Sequence, residues 1–178
     1  MGIFRGLRSQ EKMVKLIATG PESSGKTTLC KAISQHFKIP FNKEYAREYL
    51  NTLIDRNYTQ EDLLKVAKWQ LKYEEQFQLL DTDLITIKIW SEYKYGNCNN
   101  WILEEIDKQK RDSRLYFLCK PDIKWRPDPL RENPKNRMTL FKLYKKELDN
   151  TDHNYTVIEG GERALQAIKK ITQERLLI

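Results

Sequence analysis

The feature that most constrains this chain is the stretch of residues 20–27, which reads G-P-E-S-S-G-K-T. It matches the pattern G-x-x-x-x-G-K-[ST], the P-loop that binds the phosphates of a nucleotide. Apolar Val14, Leu16 and Ile17 precede it and predict a strand, and residues 28–37 have the spacing of an amphipathic helix. Because a P-loop requires a strand before it and a helix after it, this context favours a phosphate site over a simple glycine-containing turn.

The residue types in the loop suit a nucleoside triphosphate with Mg²⁺. Gly20 and Gly25 lack a Cβ, so the backbone N–H groups can turn inward towards phosphate oxygens. Lys26 brings a positive charge to the β- and γ-phosphates, and the Thr27 hydroxyl is suited to bind Mg²⁺. The residues expected to contact the nucleotide are Gly20, Glu22, Ser23, Ser24, Gly25, Lys26, Thr27 and Thr28.

A first charged cluster, E-Y-A-R-E, follows a short strand predicted over residues 41–45. It places Glu44, Arg47 and Glu48 close together at the start of a helix. Open α/β sheets bind their ligands at the carboxyl ends of the strands, which favours a ligand site here. The spacing alone fits a surface salt-bridge ladder equally well.

A second acidic cluster, D-T-D, follows the apolar pair Leu79 and Leu80. An acid at the end of a buried strand is the Walker-B arrangement, and Asp81 takes that place. Its carboxylate would bind the Mg²⁺ shell within reach of Thr27 if the two strands are adjacent. Asp83 begins the next helix, so it is either a candidate general base or only a helix cap.

Residues 121–136 predict a mobile lid. This segment holds four prolines and four basic residues, and it follows Leu115–Cys119, the most apolar run of the chain. It is too polar for a core and suits a cover over a site that must exclude water. We expect Arg131, together with Arg126 and Arg137, to close over the phosphates.

The alternation of predicted strands and helices indicates an α/β protein with a five-stranded parallel sheet and helices on both faces. The expected fold is a P-loop NTPase fold with a lid, similar to that of nucleoside monophosphate kinases. We expect an N-terminal tail at residues 1–12, one P-loop domain at 13–178 and the lid at about 121–136.

Composition narrows the partners. The net charge of +7 favours anionic ligands, but acidic residues alternate with basic ones and no block of five or more Lys/Arg occurs, so no nucleic acid is expected. The three cysteines lack any C-x-x-C and fit neither a disulfide framework nor a zinc site, which indicates a reducing cytoplasm. No run approaches the length of a membrane span. The sequence makes no prediction of oligomeric state.

Four stretches together resemble the ribosylnicotinamide kinase domain of NadR-type proteins, a branch of the P-loop kinases whose loop also occurs in AAA-type ATPases. They are GPESSGKTT, EYARE, DTDLITIKIWSEYKYG and DIKWRPDPLRE, and the resemblance covers nearly all of residues 13–171. It implies a kinase that uses ATP and Mg²⁺ to phosphorylate the 5′-hydroxyl of nicotinamide riboside, giving nicotinamide mononucleotide for NAD salvage. Bifunctional NadR-type proteins also carry an upstream adenylyltransferase domain. Only a dozen residues precede the first predicted strand here, so adenylyl transfer is not expected.

The resemblance leaves the aromatic contact to the nicotinamide ring open. Relatives can place a tryptophan immediately before the EYARE-type glutamate, where this chain has Lys43. Aromatic residues that could stack on the ring instead, or could equally be packing residues, are Phe41, Tyr45, Trp69, Tyr73 and Trp90.

We therefore expect Lys26 and Arg131 to stabilise the transferred phosphoryl group, Thr27 and Asp81 to hold Mg²⁺, and Glu44 to act as general base, with Asp83 as the second candidate. The expected contacts to the nucleoside are Glu44, Tyr45, Arg47, Trp69 and Trp90. Two alternatives remain open. One is a P-loop kinase for another nucleoside, nucleotide or small metabolite, and the other is a non-catalytic ATP-binding regulator.

Overall fold

The computed structural model describes residues 13–53 and 57–177, and the predicted tail at residues 1–12 lies outside the described residues. The strands are β1 (Lys15–Thr19), β2 (Phe41–Asn42), β3 (Leu79–Asp81), β4 (Arg114–Cys119) and β5 (Asn154–Ile158). The helices are α1 (Lys26–Phe37), α2 (Tyr45–Leu50), α3 (Gln60–Glu74), α4 (Leu84–Tyr95), α5 (Asn100–Gln109), α6 (Arg137–Thr151) and α7 (Arg163–Gln173). None of the helices in the described ranges is long and apolar enough to cross a membrane.

The five strands form one sheet in the order β2-β3-β1-β4-β5. The P-loop strand β1 lies at its centre, with Ala18 opposite Asp81 of β3 on one side and opposite Phe117 of β4 on the other. All neighbouring strands are parallel, so all five end at the same edge of the sheet. The predicted five-stranded parallel sheet is confirmed, and the loops that follow its strands meet at this edge.

Helices cover both faces of the sheet, because successive residues of a strand point to opposite faces. Leu16 and Ala18 of β1 are buried in one apolar core together with residues of α1 and α7. Ile17 of β1 and Leu80 of β3 are buried in a second core together with residues of α3, α4, α5 and α6. The β1 strand therefore has no exposed face, which explains its continuous apolar sequence.

Two local predictions have different outcomes. Residues 59–62, T-Q-E-D, predict the N-cap and acidic first turn of a helix. This cap is confirmed at the start of α3 as a capping box, in which Thr59 and Asp62 each bond the backbone N–H of the other. The strand predicted over residues 41–45 is shorter, because β2 pairs only through Phe41 and Asn42, and Tyr45 already begins α2.

A buried charged cluster joins helices to the sheet beneath the second core. Arg114 of β4 forms an ion pair with Glu74 of α3 and lies 3.8 Å from Asp83, measured from Nη1 to Oδ2. Tyr116 of β4 donates a hydrogen bond of 2.6 Å to the same Asp83 oxygen. Because buried charges are costly without partners, these contacts fix the register of α3 and α4 against β4.

Candidate active site

The P-loop turns sharply after β1, and its first glycine is required by the neighbouring strand. Gly20 has φ +131°, and a Cβ added to it would lie 2.6 Å from the carbonyl oxygen of Cys119 at the end of β4. Gly25 has φ +89° and lies directly before α1, which begins at Lys26. Both glycines therefore hold backbone conformations that other residues rarely adopt. The loop that they shape leads directly into α1, so the N-terminus of this helix points towards the bend of the loop.

Lys26 is held inside the loop. Its ammonium group donates hydrogen bonds of 2.9 Å to the carbonyl oxygens of Gly20 and Pro21, and the side chain is buried. An ammonium group has three N–H donors, so one remains for a ligand in the loop. The sequence predicted a positive charge at this point, and the structure adds that the charge is fixed in place.

Thr27 and Asp81 meet as the order of the strands requires. The Thr27 hydroxyl donates a hydrogen bond of 2.6 Å to Oδ2 of Asp81 at the end of β3. Burial and, next to it, the nearby charge of Glu44 together raise the pKa of the Asp81 carboxyl to about 6, while the Thr27 hydrogen bond opposes the shift. The other oxygen of Asp81 is buried and has no hydrogen-bond partner among the described residues.

The pair Thr27 and Asp81 fits a Mg²⁺ ion. A hydroxyl and an unpaired carboxylate oxygen are hard oxygen ligands of the kind that Mg²⁺ prefers, and this cation usually takes only one or two carboxylates in sites completed by phosphates and water. Within the described part of the chain, no cluster of three or more His, Cys, Asp or Glu could hold a metal on its own.

A cavity of about 490 Å³ opens between the P-loop and the ends of the neighbouring strands. Residues 22–28 form its floor, so it contains every contact to the nucleotide predicted within the P-loop except Gly20. The wall is lined by residues of several segments, among them Glu44, Arg47 and Leu50, then Trp90 of α4, then Arg126, Leu130 and Arg131, and finally Gly161, Arg163 and Ala164.

Glu44 reaches the same cavity from the end of β2. It occupies the cap position of α2, but its side chain makes no capping hydrogen bond. Burial is the main cause of the raised pKa of Asp81 and the charge of Glu44 is the second, as expected for two carboxylates that follow neighbouring strands at one edge of the sheet. Arg47 lies one turn further along α2 and also lines the cavity, where its guanidinium donates a bond of 2.6 Å to Asp128.

The candidate role of Asp83 as a base is corrected by its surroundings. Asp83 is fully buried, and it does not line the cavity. One carboxylate oxygen accepts from the backbone N–H of Ile85 and the other accepts from the Tyr116 hydroxyl. Asp83 is therefore the cap of α4, which was the alternative role that the sequence left open.

Of the predicted aromatic contacts, the structure brings only Trp90 to the cavity. Tyr45 and Trp69 stack on each other instead, with ring centroids 3.8 Å apart and an interplanar angle of 10°. Tyr73 packs against Trp69, and Phe41 packs against the core beside α1 and α7. The proposed stacking role of Tyr45 and Trp69 is thus replaced by a packing role between α2 and α3.

A second cavity of about 300 Å³ adjoins the first, and sequence reasoning missed it. The two cavities share Glu22, Leu50, Trp90 and Leu130. The remaining wall of the second cavity is formed by Tyr58, Tyr93, Lys94, Glu132, Asn133 and Leu140. Its residues come from segments far apart in the chain, so no local sequence pattern marks it.

The segment predicted as a lid, residues 121–136, is irregular and lies across the P-loop. Arg126 and Arg131 line the first cavity. Arg137 does not, because its guanidinium donates to the carbonyl oxygens of Ser23 and Ile123 at 3.2 and 3.1 Å. Arg137 therefore joins the segment to the P-loop instead of facing the phosphates, which corrects its predicted role.

Arg163 is a cavity residue that sequence reasoning did not single out. Its guanidinium donates to the carbonyl oxygens of Ser24 and Lys120 at 3.0 and 2.9 Å and forms an ion pair with Asp122. It follows the Gly160 and Gly161 turn after β5, at the edge where all strands end. That position was a signal that could have identified it.

Comparisons with known proteins give one family and several related folds. The family profile described as AAA domain matches residues 15–164. A Caenorhabditis elegans protein described as pachytene checkpoint protein 2 is 23% identical, over 61% of this chain and 30% of that protein. The chain thus spans less than a third of the length of that relative.

Solved kinase structures share the fold. The structure of NadR in complex with NR matches with a TM-score of 0.69 at 18% identity, covering 90% of this chain and 51% of the NadR chain. A deoxyadenosine kinase from M. mycoides matches with a TM-score of 0.59 at 16% identity, over 91% of this chain and 98% of its own. Shikimate kinase from Bacteroides thetaiotaomicron matches with 0.55 at 14% identity, over 92% and 99%. The resemblance that the sequence indicated is confirmed in the fold, and the chain spans about half of the NadR chain.

Proposed function

Because the chain belongs to the AAA-domain family and carries that family's P-loop, we propose that it is an ATP-dependent kinase that phosphorylates the 5′-hydroxyl of nicotinamide riboside. The product would be nicotinamide mononucleotide, a precursor in NAD salvage. We place the protein in the cytoplasm, since its three cysteines are free thiols.

The observation that carries the proposal is that two acidic residues, Asp81 and Glu44, lie beside the P-loop. Asp81 bonds Thr27 beside the phosphate loop, and Glu44 lies near Asp81 on the β2 side of the same cavity. A regulator that only binds ATP needs the first acid but has no use for the second. A kinase needs both, since one holds the metal and the other faces the acceptor.

The residues of the chain divide the chemistry between them. Lys26 would bind the β- and γ-phosphates with its remaining N–H, and Arg126 and Arg131 would neutralise charge from the opposite wall. Glu44 would hydrogen-bond the ribose and take the proton of the 5′-hydroxyl, with Arg47 orienting it. Mg²⁺ held by Thr27 and Asp81 would supply further charge neutralisation at the phosphates.

The second cavity offers room for the ring of the acceptor. It continues from the first cavity past Trp90, whose side chain lines both. Trp90, Tyr58 and Tyr93 provide aromatic faces, and Asn133, Lys94 and Glu132 provide polar groups that could bond an exocyclic amide. An apolar pocket with few polar groups is typical of sites for planar ligands.

Residues 121–136 are proposed as the lid of a single P-loop kinase domain. The lid would close when both substrates are bound and would exclude water from the transferred phosphoryl group. Adenylyl transfer is not part of the proposal.

The relatives support two choices of acceptor. NadR was solved with NR bound, which supports nicotinamide riboside. The deoxyadenosine kinase and the shikimate kinase show that the same fold is found in kinases for other acceptors, so another nucleoside or small metabolite is the second candidate.

An acceptor panel tests the proposal. ATP turnover would be measured with nicotinamide riboside, with adenosine, deoxyadenosine, cytidine and shikimate, and without acceptor. We expect nicotinamide riboside to give the highest kcat/KM. If another acceptor is preferred, the second candidate replaces the first. Slow turnover that no acceptor changes would contradict a kinase and favour an ATP-binding regulator.

A further inference from the structure

The sequence assigned Glu22 to the contacts of the nucleotide, but an acidic side chain is unusual in a loop that binds phosphate. It is the third residue of the P-loop, and its side chain lines both cavities. A carboxylate beside a triphosphate raises the electrostatic energy of the bound ligand, because like charges repel in a partly buried site. The roles proposed for Lys26 and Thr27 do not account for it.

Both oxygens of Glu22 are occupied by the segment 121–136. Oε1 accepts from the backbone N–H of Glu132 at 3.2 Å, and Oε2 accepts from the backbone N–H of Asn133 at 3.0 Å. Burial raises the pKa of the Glu22 carboxyl, and these two N–H donors oppose the shift by stabilising the ionised form. Hydrogen bonds to an ionised acceptor are stronger than those between neutral groups.

The same segment is anchored on the opposite side of the cavities. The Glu132 carboxylate accepts from the Tyr58 hydroxyl at 2.9 Å and from the Lys94 ammonium at 3.0 Å. Asp128 is bonded by Arg47 at 2.6 Å. Residues 128–133 therefore bridge the P-loop and the walls formed by α2 and α4, and Glu22 is the acidic side chain that holds the P-loop end of the bridge.

We propose that Glu22 is a positioning residue that latches residues 128–133 over both cavities and so holds Arg131 towards the phosphates. The carboxylate does not act on the reacting atoms. Its two oxygens accept hydrogen bonds from the backbone N–H groups of Glu132 and Asn133. This contact explains why an acid stands in a loop that otherwise disfavours negative charge. This inference rests on the proposed kinase function only for its kinetic consequences.

Limited proteolysis tests the latch without any turnover. Trypsin cuts between Arg131 and Glu132, and the N–H group of that peptide bond is the one that Glu22 accepts from. Release of the latch should therefore make this bond more accessible. Glu22→Gln keeps the size of the side chain but replaces one acceptor by a donor, and Glu22→Ala removes both acceptors. We expect initial cleavage between Arg131 and Glu132 to be about tenfold faster in both variants, as the loss of charge-assisted hydrogen bonds predicts.

Glu61→Gln is the matched control, because Glu61 is an exposed acid in the first turn of α3. It should leave the rate of cleavage after Arg131 as in the unchanged protein. Cleavage less than about threefold faster than the control in both Glu22 variants would overturn the latch, since that is below the effect of one hydrogen bond to a charged group. Melting temperatures would be measured alongside. If Glu22→Ala does not fold, Glu22→Gln decides the matter.

The kinetic readout separates positioning from simple loss of fold. In the Glu22 variants we expect kcat to fall about tenfold while the KM for ATP changes less, and the ratio of ATP hydrolysis to transfer to rise because water reaches the phosphates. An unchanged ratio together with unchanged proteolysis would overturn the inference and leave the kinase proposal intact. If no acceptor is phosphorylated at all, the proteolysis still decides whether the latch exists.

Discussion

At the scale of single residues, the buried carboxylate of Asp81 lowers the free energy of unfolding. Its carboxyl has a pKa of about 6 in the folded chain, against an ordinary 3.8, because it is buried and lies near Glu44. Between these two pH values the unfolded chain releases a proton that the folded chain keeps. The free energy of unfolding therefore falls as the pH rises through this range, by about 3 kcal/mol in total.

Asp81→Asn removes this cost and gives the first prediction. Without nucleotide or Mg²⁺, the variant should melt about 5–10 °C above the unchanged protein at pH 8, where Asp81 is charged. The difference should largely vanish near pH 4, where Asp81 is protonated in the folded chain. Thermal melts at the two pH values measure it. A gain in melting temperature that is the same at both would show that burial of the charge is not its cause.

Lys26→Ala tests the charge in the loop. The lost ammonium group stabilises the transferred phosphoryl group, so turnover should fall about 10²–10³-fold, while folding is kept. Lys31→Ala is the matched control, because Lys31 is exposed on the same helix. Turnover is measured under saturating ATP. A Lys26→Ala variant with more than about a tenth of the normal rate would refute the assignment of the P-loop.

Glu44 and Asp81 should separate in their kinetics. Asp81→Asn is expected to weaken the response to Mg²⁺ and ATP-driven turnover together, because it removes the charge beside Thr27. Glu44→Gln should keep ATP affinity while it lowers kcat or raises the KM for the nucleoside. ATP affinity, Mg²⁺ titration and nucleoside kinetics of both variants decide this. The roles are inverted if Glu44→Gln changes the Mg²⁺ response and Asp81→Asn only the nucleoside KM.

At the scale of elements, the segment 121–136 is the part whose behaviour is easiest to test. Arg131→Ala should lower kcat about tenfold or more and leave the melting temperature unchanged, since Arg131 lines the cavity from an irregular segment. Lys135→Ala, an exposed basic residue of the same segment, is the control and should leave kcat unaffected. Equal kcat values for the two variants would contradict a role for Arg131 at the phosphates.

Nucleotide and acceptor should also protect this segment from protease. We expect slower tryptic cleavage after Arg131 when ATP analogue and nicotinamide riboside are both present, because closure removes the site from solvent. Cleavage is followed by mass spectrometry. If protection is absent with both ligands, the segment is not a lid.

Helices and strands that have a local sequence pattern could be predicted from the sequence. Features that depend on one contact between distant residues could not. The capping box of α3 and the strand β4 are local patterns, and both are present. The end of β2 was misplaced, because it depends on which residues of β3 it pairs with. Arg137 was assigned to the phosphates from its charge alone, and only the fold shows that it bonds Ser23 and Ile123.

At the scale of the whole molecule, the sheet order determines the site. A central β1 flanked by β3 brings Thr27 and Asp81 together, and the edge position of β2 brings Glu44 to the same cavity. The Walker motifs predicted the first pair from sequence. Arg163 and the second cavity were not predicted, because they assemble residues from segments that the sequence does not show to be adjacent.

The most direct test of the central claim is transfer of labelled γ-phosphate from ATP to nicotinamide riboside. We predict that mass spectrometry detects nicotinamide mononucleotide in which the labelled phosphoryl group is bonded to the 5′-oxygen of the riboside, and that Lys26→Ala forms almost none. The account would be contradicted if the label appeared only in inorganic phosphate, at a rate that nicotinamide riboside does not change.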